Sequence, residues 1–154
     1  MAIPPSVAEF LAGKCLAVAG VSRDSRQAAN AIYRKLRAAG YEVLPINPRA
    51  PEVEGVRCYP NLQALPDPVD GLVVATPPGT GVALVREAAR CGVSRIWFHR
   101  SLGSGSVSPA AVRECETLGL RCIVGGCPLM YCEPVDPFHR CLRWLLRWSR
   151  RVPS

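Results

Sequence analysis

Short apolar runs closed by turn residues, alternating with segments of helical period, constrain this chain more than any other feature. They are the pattern of a parallel sheet whose strands are joined by crossover helices. The first run is Cys15 to Ala19, followed by the loop Gly20 to Arg26. Over 27–39, Ala28, Ala29, Ile32, Leu36 and Ala39 recur at helical spacing, and Gly40 supplies a C-terminal stop. Tyr41 to Ile46 reads as a second strand, ended by Asn47-Pro48 because proline cannot donate to a ladder. The proline-rich connection over 49–68 is expected to hold at most a short helical turn around Asn61 to Leu65.

After its first residue, Asp70 to Ala75 is continuously apolar, as a strand covered on both faces should be, and Thr76-Pro77-Pro78-Gly79 breaks it. Residues 80–91 carry Val82, Ala83, Val85 and Ala89 on one stripe, and Arg95 to Phe98 is a fourth strand. Ser108 and Pro109 are a good N-cap and first position for a helix to Leu118, after which Leu120 to Val124 gives a fifth strand. The expected fold is α/β: a doubly wound, mainly parallel five-stranded sheet with four intervening helices and an added C-terminal amphipathic helix. At 154 residues, 49% of them apolar, residues 1–154 make one domain with one core.

The excess of 19 basic over 12 acidic residues, a net charge of +7, favours acidic partners such as phosphorylated ligands, nucleic acid or an anionic membrane face. No stretch approaches the ~18 to 20 apolar residues of a bilayer span, and the N-terminus lacks the features of a secretory signal. A cytoplasmic location is expected. The eight cysteines therefore read as thiols: Cys15 and Cys122 fall in strand-like runs and Cys91 and Cys115 in helix-like ones, as small buried side chains.

In the last stretch, Asp136 caps and Pro137 opens a basic helix of about 14 residues within 136–150. Phe138, Cys141, Leu142, Trp144, Leu145, Leu146 and Trp148 share an arc of about 200°, and His139, Arg140, Arg143, Arg147, Arg150 and Arg151 take the rest. The apolar arc is expected to pack on this chain's own sheet with the arginines in water. A homodimer seam and an anionic membrane contact are the alternatives.

In such a sheet a ligand crevice lies at the carboxyl ends of the strands, near the reversal of strand order. The loop after the first strand leads into a helix, whose free amides favour phosphate. There Gly20 and Val21 bring the backbone close, Ser22 and Ser25 offer hydroxyls, and Arg23 and Arg26 offer charge. Only Gly20 of the G-x-G-x-x-G dinucleotide fingerprint is present. The second strand ends in Asn47, Pro48 and Arg49, where NAD-binding sheets place an acid for the ribose hydroxyl. A cation there favours a nucleotide with an extra ribose phosphate, which both coenzyme A and NADP carry.

The runs Val18-Ala-Gly-Val-Ser-Arg-Asp-Ser-Arg, Asn30-Ala-Ile-Tyr-Arg-Lys-Leu and Gly40-Tyr-Glu-Val-Leu-Pro-Ile-Asn-Pro-Arg, with Thr76-Pro-Pro and Ile96-Trp97, resemble the single-domain bacterial CoA-binding proteins. Those are Rossmann-like domains related to the CoA-binding portion of succinyl-CoA ligase. The resemblance covers about residues 8 to 130 and implies coenzyme A across Gly20 to Arg26, Asn47-Pro48 and Thr76-Pro77. The chain departs from the family in two places: its last strand ends in Gly125-Gly126-Cys127 where Asp-Arg-Cys is common, and its terminal helix is rich in arginine.

The leading expectation is a noncatalytic nucleotide-binding protein for coenzyme A or an acyl-CoA. A second is an NADP-dependent oxidoreductase or acyl-CoA enzyme using His99 as base, although a satisfied polar residue at a strand end is the simpler reading. A third is an interaction protein docking through the terminal helix. Cys127, Cys132, His139 and Cys141 include soft metal ligands, but their spacing departs from common zinc patterns. Nucleic acid ranks last, since the basic stripe is not interleaved with exposed aromatics.

Overall fold

A computed structural model describes residues 2–153. A short helix absent from the sequence expectation, α1 (Pro5–Leu11), precedes β1 (Cys15–Ala19). There follow α2 (Ala28–Ala38), β2 (Glu42–Ile46), a two-stranded antiparallel ribbon of β3 (Glu52–Val53) and β4 (Val56–Arg57), and β5 (Gly71–Val74). The chain then runs through α3 (Gly81–Arg90), β6 (Arg95–Phe98), α4 (Pro109–Thr117), β7 (Arg121–Val124) and α5 (Pro137–Trp148). The main sheet has the order β2-β1-β5-β6-β7 with every neighbouring pair parallel, the Rossmann-like architecture expected. From β1 the chain moves outward to β2 and then returns to β5 on the other side, so the strand order reverses between β1 and β5.

The expectation of four intervening helices is corrected: α2, α3 and α4 lie between strands of the sheet, and the β2-to-β5 crossover carries the β3–β4 ribbon and one 3₁₀ turn, Leu62–Ala64. Prolines at 48, 51, 60, 66 and 68 remove amide donors and fix φ, so no helix can propagate there. The crossover instead lies along the edge of β2, with the Tyr59 amide donating to the Pro45 carbonyl at 3.0 Å and Asn47 donating to Tyr59 at 2.9 Å.

Because both faces of a parallel sheet are covered, two cores form. On one side Val7 and Phe10 of α1 and Ile32, Tyr33 and Leu36 of α2 pack on Leu16, Val18, Val73 and Trp97. On the other, Val85 and Ala88 of α3 and Ala111 and Cys115 of α4 cover Ala17, Leu72, Val74, Ile96 and Phe98. Trp97, completely buried, meets Phe10 edge to face at 5.4 Å and donates its indole N–H to the Gly125 carbonyl at 2.9 Å, so its one polar atom is satisfied inside the core. Of the four cysteines expected to be buried, Cys115 is; Cys15, Cys91 and Cys122 are partly exposed.

The terminal helix spans 12 residues and is rotated from expectation: of its apolar arc only Leu142 and Leu146 pack on the core, while Arg140, Arg147, Arg150 and Arg151 are in water as expected. Arg143 and Leu146 face the body of the protein, while Phe138 (65% exposed), Trp144 (54%), Leu145 (53%) and Trp148 (82%) face outward with Cys141. Hence the arginine edge does adjoin exposed aromatics. A guanidinium can point inward because the Arg143 Nη1 donates to the Met130 carbonyl at 3.0 Å and its carbon sits 5.0 Å from the Tyr131 ring centroid.

The Gly125-Gly126 pair and the arginine-rich terminal helix belong to one structural feature. Beyond α5 the chain folds back onto the end of β7, where the Gly126 amide donates to the Arg151 carbonyl at 2.9 Å and the Arg151 amide donates to Leu146 at 3.1 Å. At Gly125 a side chain would collide with the Arg151 carbonyl, and at Gly126 a Cβ would lie 2.8 Å from Pro153. The glycine pair makes room for the strap that sets the facing of α5.

Candidate functional site

At the carboxyl ends of β1, β2 and β5 lies a cleft of about 640 Å³, in the range of small-molecule sites and at the strand-order reversal. Its floor requires a glycine. Gly20 has φ +104°, and a Cβ there would stand 2.6 Å from the Ala75 carbonyl oxygen, so the ends of β1 and β5 can approach only without a side chain. The Gly20 amide donates to Ile46 at 3.0 Å, tying the start of the loop to β2 as well.

Asn30, fully buried on α2, shapes the loop that follows. Its Oδ1 accepts the Ser22 amide at 3.0 Å, and its Nδ2 donates to the Ser22 carbonyl at 2.8 Å and to Glu54 Oε1 at 2.7 Å. The Ser22 hydroxyl holds the next turn by accepting the Asp24 amide at 3.1 Å. Gln27, the residue before α2, makes no side-chain cap, so the first-turn amides of the helix keep no side-chain acceptor. Asn47 serves as a staple between two loops: its Nδ2 donates to the Val21 carbonyl at 2.9 Å while its Oδ1 accepts the Arg49 amide at 2.8 Å.

Of the residues singled out by sequence, Gly20, Ser22, Asn47, Pro48, Arg49, Thr76 and Pro77 line this cleft together. Val21, Arg23, Ser25 and Arg26 do not. Val21 is buried in the core, as alternation at a strand end requires. Arg26 is held by Asp24 at 2.9 Å, and that guanidinium keeps the Asp24 carboxyl below its ordinary range. Arg23 donates to the Arg49 carbonyl at 3.3 Å. Arg49 is left as the cation lining the cleft, exposed and with no carboxylate within 4.0 Å among the described residues.

Sequence reasoning missed Gln27, Thr80 and Glu87 in the wall. The Thr80 hydroxyl lies 2.6 Å from that of Thr76, and Glu87 Oε1 accepts the Leu62 amide at 2.8 Å, pinning the crossover above α3. It also missed the part played by Asn30, although an amide side chain among Ala29, Ile32, Tyr33 and Leu36 on the buried face of a helix was a usable signal.

His99 is elsewhere. It follows β6 directly, is 8% exposed, and burial holds its imidazole below the ordinary 6.5. Its amide donates to Val74 and its carbonyl accepts from Ser106, so the following loop folds over it. Cys127 and Cys132 are buried, Cys141 is exposed, and among the described residues no three His, Cys, Asp or Glu side chains gather closely enough to hold a metal ion. No helix among the described residues is long and apolar enough to cross a membrane.

Comparison with known proteins supplies the family. The CoA binding domain family matches residues 14–133, which include every segment of the cleft. The ADP-forming acetate–CoA ligase II of Archaeoglobus fulgidus is 29% identical over 91 residues, a stretch that is 58% of this chain but 14% of the ligase. Among solved structures, a conserved hypothetical protein from Pyrococcus furiosus is 33% identical with TM-score 0.66, over 74% of this chain and 95% of that one. The dinucleotide-forming acetyl-coenzyme A synthetase 1 of Candidatus Korarchaeum cryptofilum, in complex with phosphate and ADP, is 30% identical with TM-score 0.62, over 75% of this chain and 26% of that one. With its sequence matched over the whole sheet and its cleft at the strand-order reversal, this chain belongs to the CoA-binding domain family.

Proposed function

We propose that the protein binds coenzyme A or an acyl-CoA in the β1–β2–β5 cleft and performs no chemistry on it there. The observation that carries this reading is the meeting of the Gly20–Ser22 turn, the uncapped start of α2 and the Arg49 guanidinium around one cleft. Backbone donors at a helix start suit a diphosphate, and a free cation at the end of the second strand suits a ribose phosphate. Ligands sharing these groups include NADP, but the relatives named for coenzyme A chemistry favour the acyl carrier.

Binding without catalysis is supported by the lining itself. Among the described residues it offers no Cys, His, Lys or Tyr, and its one carboxylate, Glu87, is engaged by the Leu62 amide. A catalyst needs a positioned base or nucleophile, and His99, the sequence candidate, lies outside the lining. Isothermal titration with coenzyme A tests the reading: saturable heat with one site supports it. No heat at millimolar ligand, or tighter binding of NADPH than of coenzyme A, overturns it.

A further inference from the structure

We propose that the outward face of α5 docks on an anionic lipid membrane. Phe138, Cys141, Trp144, Leu145 and Trp148 form one apolar stripe over about 120° of the helix surface, all of them exposed. Such a stripe on a monomer surface marks a contact site. Arg140 and Arg147 border it on one side, with Arg150 and Arg151 at the C-terminal end, all four exposed. No Asp or Glu occurs between 137 and 153. Among the described residues no carboxylate lies within 4.0 Å of any of these arginines.

Charge selects the occupant. An antiparallel two-fold pairing of α5 with a second copy would set one arginine edge against its equivalent, with no acid on either helix to compensate. An anionic surface meets all four cations with opposite charge while its acyl region takes the stripe. The exposed Leu145 and Phe138 offer nothing to a polyanion without an acyl layer, which disfavours nucleic acid. Tryptophan and arginine side by side match the headgroup boundary, where an amphipathic ring and a snorkelling cation are both accommodated.

The helix is also held ready. Asp136 caps it by accepting the His139 amide at 3.0 Å, Arg143 and Leu146 fix its inner face, and the Arg151–Gly126 strap fixes its end. Docking therefore need not order the segment first. At about 18 Å long the helix lies in the interface plane and cannot span the bilayer.

The test is co-sedimentation of the full chain with vesicles of phosphatidylglycerol and phosphatidylcholine, against phosphatidylcholine alone, at low and high salt. Binding is expected to the anionic vesicles, to fall with salt, and to disappear in Trp144→Ser/Trp148→Ser, whose side chains are largely solvent-exposed. Arg147→Gln/Arg151→Gln should weaken it about 30-fold, equivalent to ~1 kcal/mol for each cation near the surface. Equal binding to neutral vesicles overturns the proposal. So does absence of vesicle binding, whether the chain is monomeric by analytical ultracentrifugation or forms a dimer that the tryptophan substitutions dissolve, a second copy then being the occupant. Coenzyme A titration of the same variants reports whether the cleft is intact and is independent of either result.

Discussion

Replacing Asn30 by Ala should damage the cleft from behind, because its side chain reaches no ligand position but supports the loop that does. The substitution removes three hydrogen bonds, at 3.0, 2.8 and 2.7 Å. Glu54 keeps a partner in Arg34 at 2.6 Å, so the lasting loss falls on the amide and carbonyl of Ser22. Ser22 is half-buried and water can partly replace the amide group, which puts each loss at the low end of the 1–3 kcal/mol cost of an unsatisfied group. With the emptied space on a fully buried helix face added, the total is about 2–4 kcal/mol, a large part of a usual stability of ~5–15 kcal/mol. Asn30→Asp should be worse near neutral pH. It still accepts from Ser22 but turns an oxygen toward the Ser22 carbonyl and the Glu54 carboxylate. Urea unfolding with and without coenzyme A reads both consequences. At a ligand concentration 100 times Kd the wild-type protein gains about 2.7 kcal/mol, and a tenfold loss of affinity cuts that gain to about 1.4 kcal/mol. If Asn30→Ala unfolds at the wild-type midpoint and gains as much from the ligand, Asn30 does not hold the loop and the reasoning fails.

Gly20→Ala places a Cβ 2.6 Å from the Ala75 carbonyl at a positive φ, so a destabilisation of about 1–3 kcal/mol and loss of coenzyme A heat are expected in denaturation and titration experiments. Arg49→Ala should weaken coenzyme A about tenfold and dephospho-coenzyme A less, since one exposed charge-assisted contact to the ribose phosphate is removed. Arg26→Ala should change affinity by less than about threefold in the same titrations, because Asp24 already engages that guanidinium. His99 has a lowered folded-state value, so the unfolded chain takes up the proton first: stability should be full above about 6.5, fall as pH drops below it, and lose that slope in His99→Gln, measured by urea midpoints from pH 7.5 to 5.

Local chemistry along the chain determined the frame of the molecule. Continuous apolar runs became the parallel strands because a strand covered on both faces has no solvent side to mark, and Gly40, Gly92 and Gly119 ended helices where their period ended. Gly20, Ser22, Asn47, Pro48, Arg49, Thr76 and Pro77 could be grouped in advance because the topology of a doubly wound sheet sends the ends of those strands to one rim. Which charges were free could not be read in the same way. The pairing of Arg26 with Asp24 and the inward course of Val21 depend on the shape of a turn, which Asn30 sets from another element.

Tertiary structure alone decided how α5 sits. Periodicity sorted its residues correctly into apolar and basic sides, but a moment has no label saying which side meets the body of the protein. That was settled by the Met130 carbonyl, which accepts from the Arg143 Nη1, by the Tyr131 ring beside that guanidinium, and by the Gly125-Gly126 pair, which admits the returning strap. A guanidinium turns inward where acceptors separated in sequence converge on it, and their convergence exists only after folding.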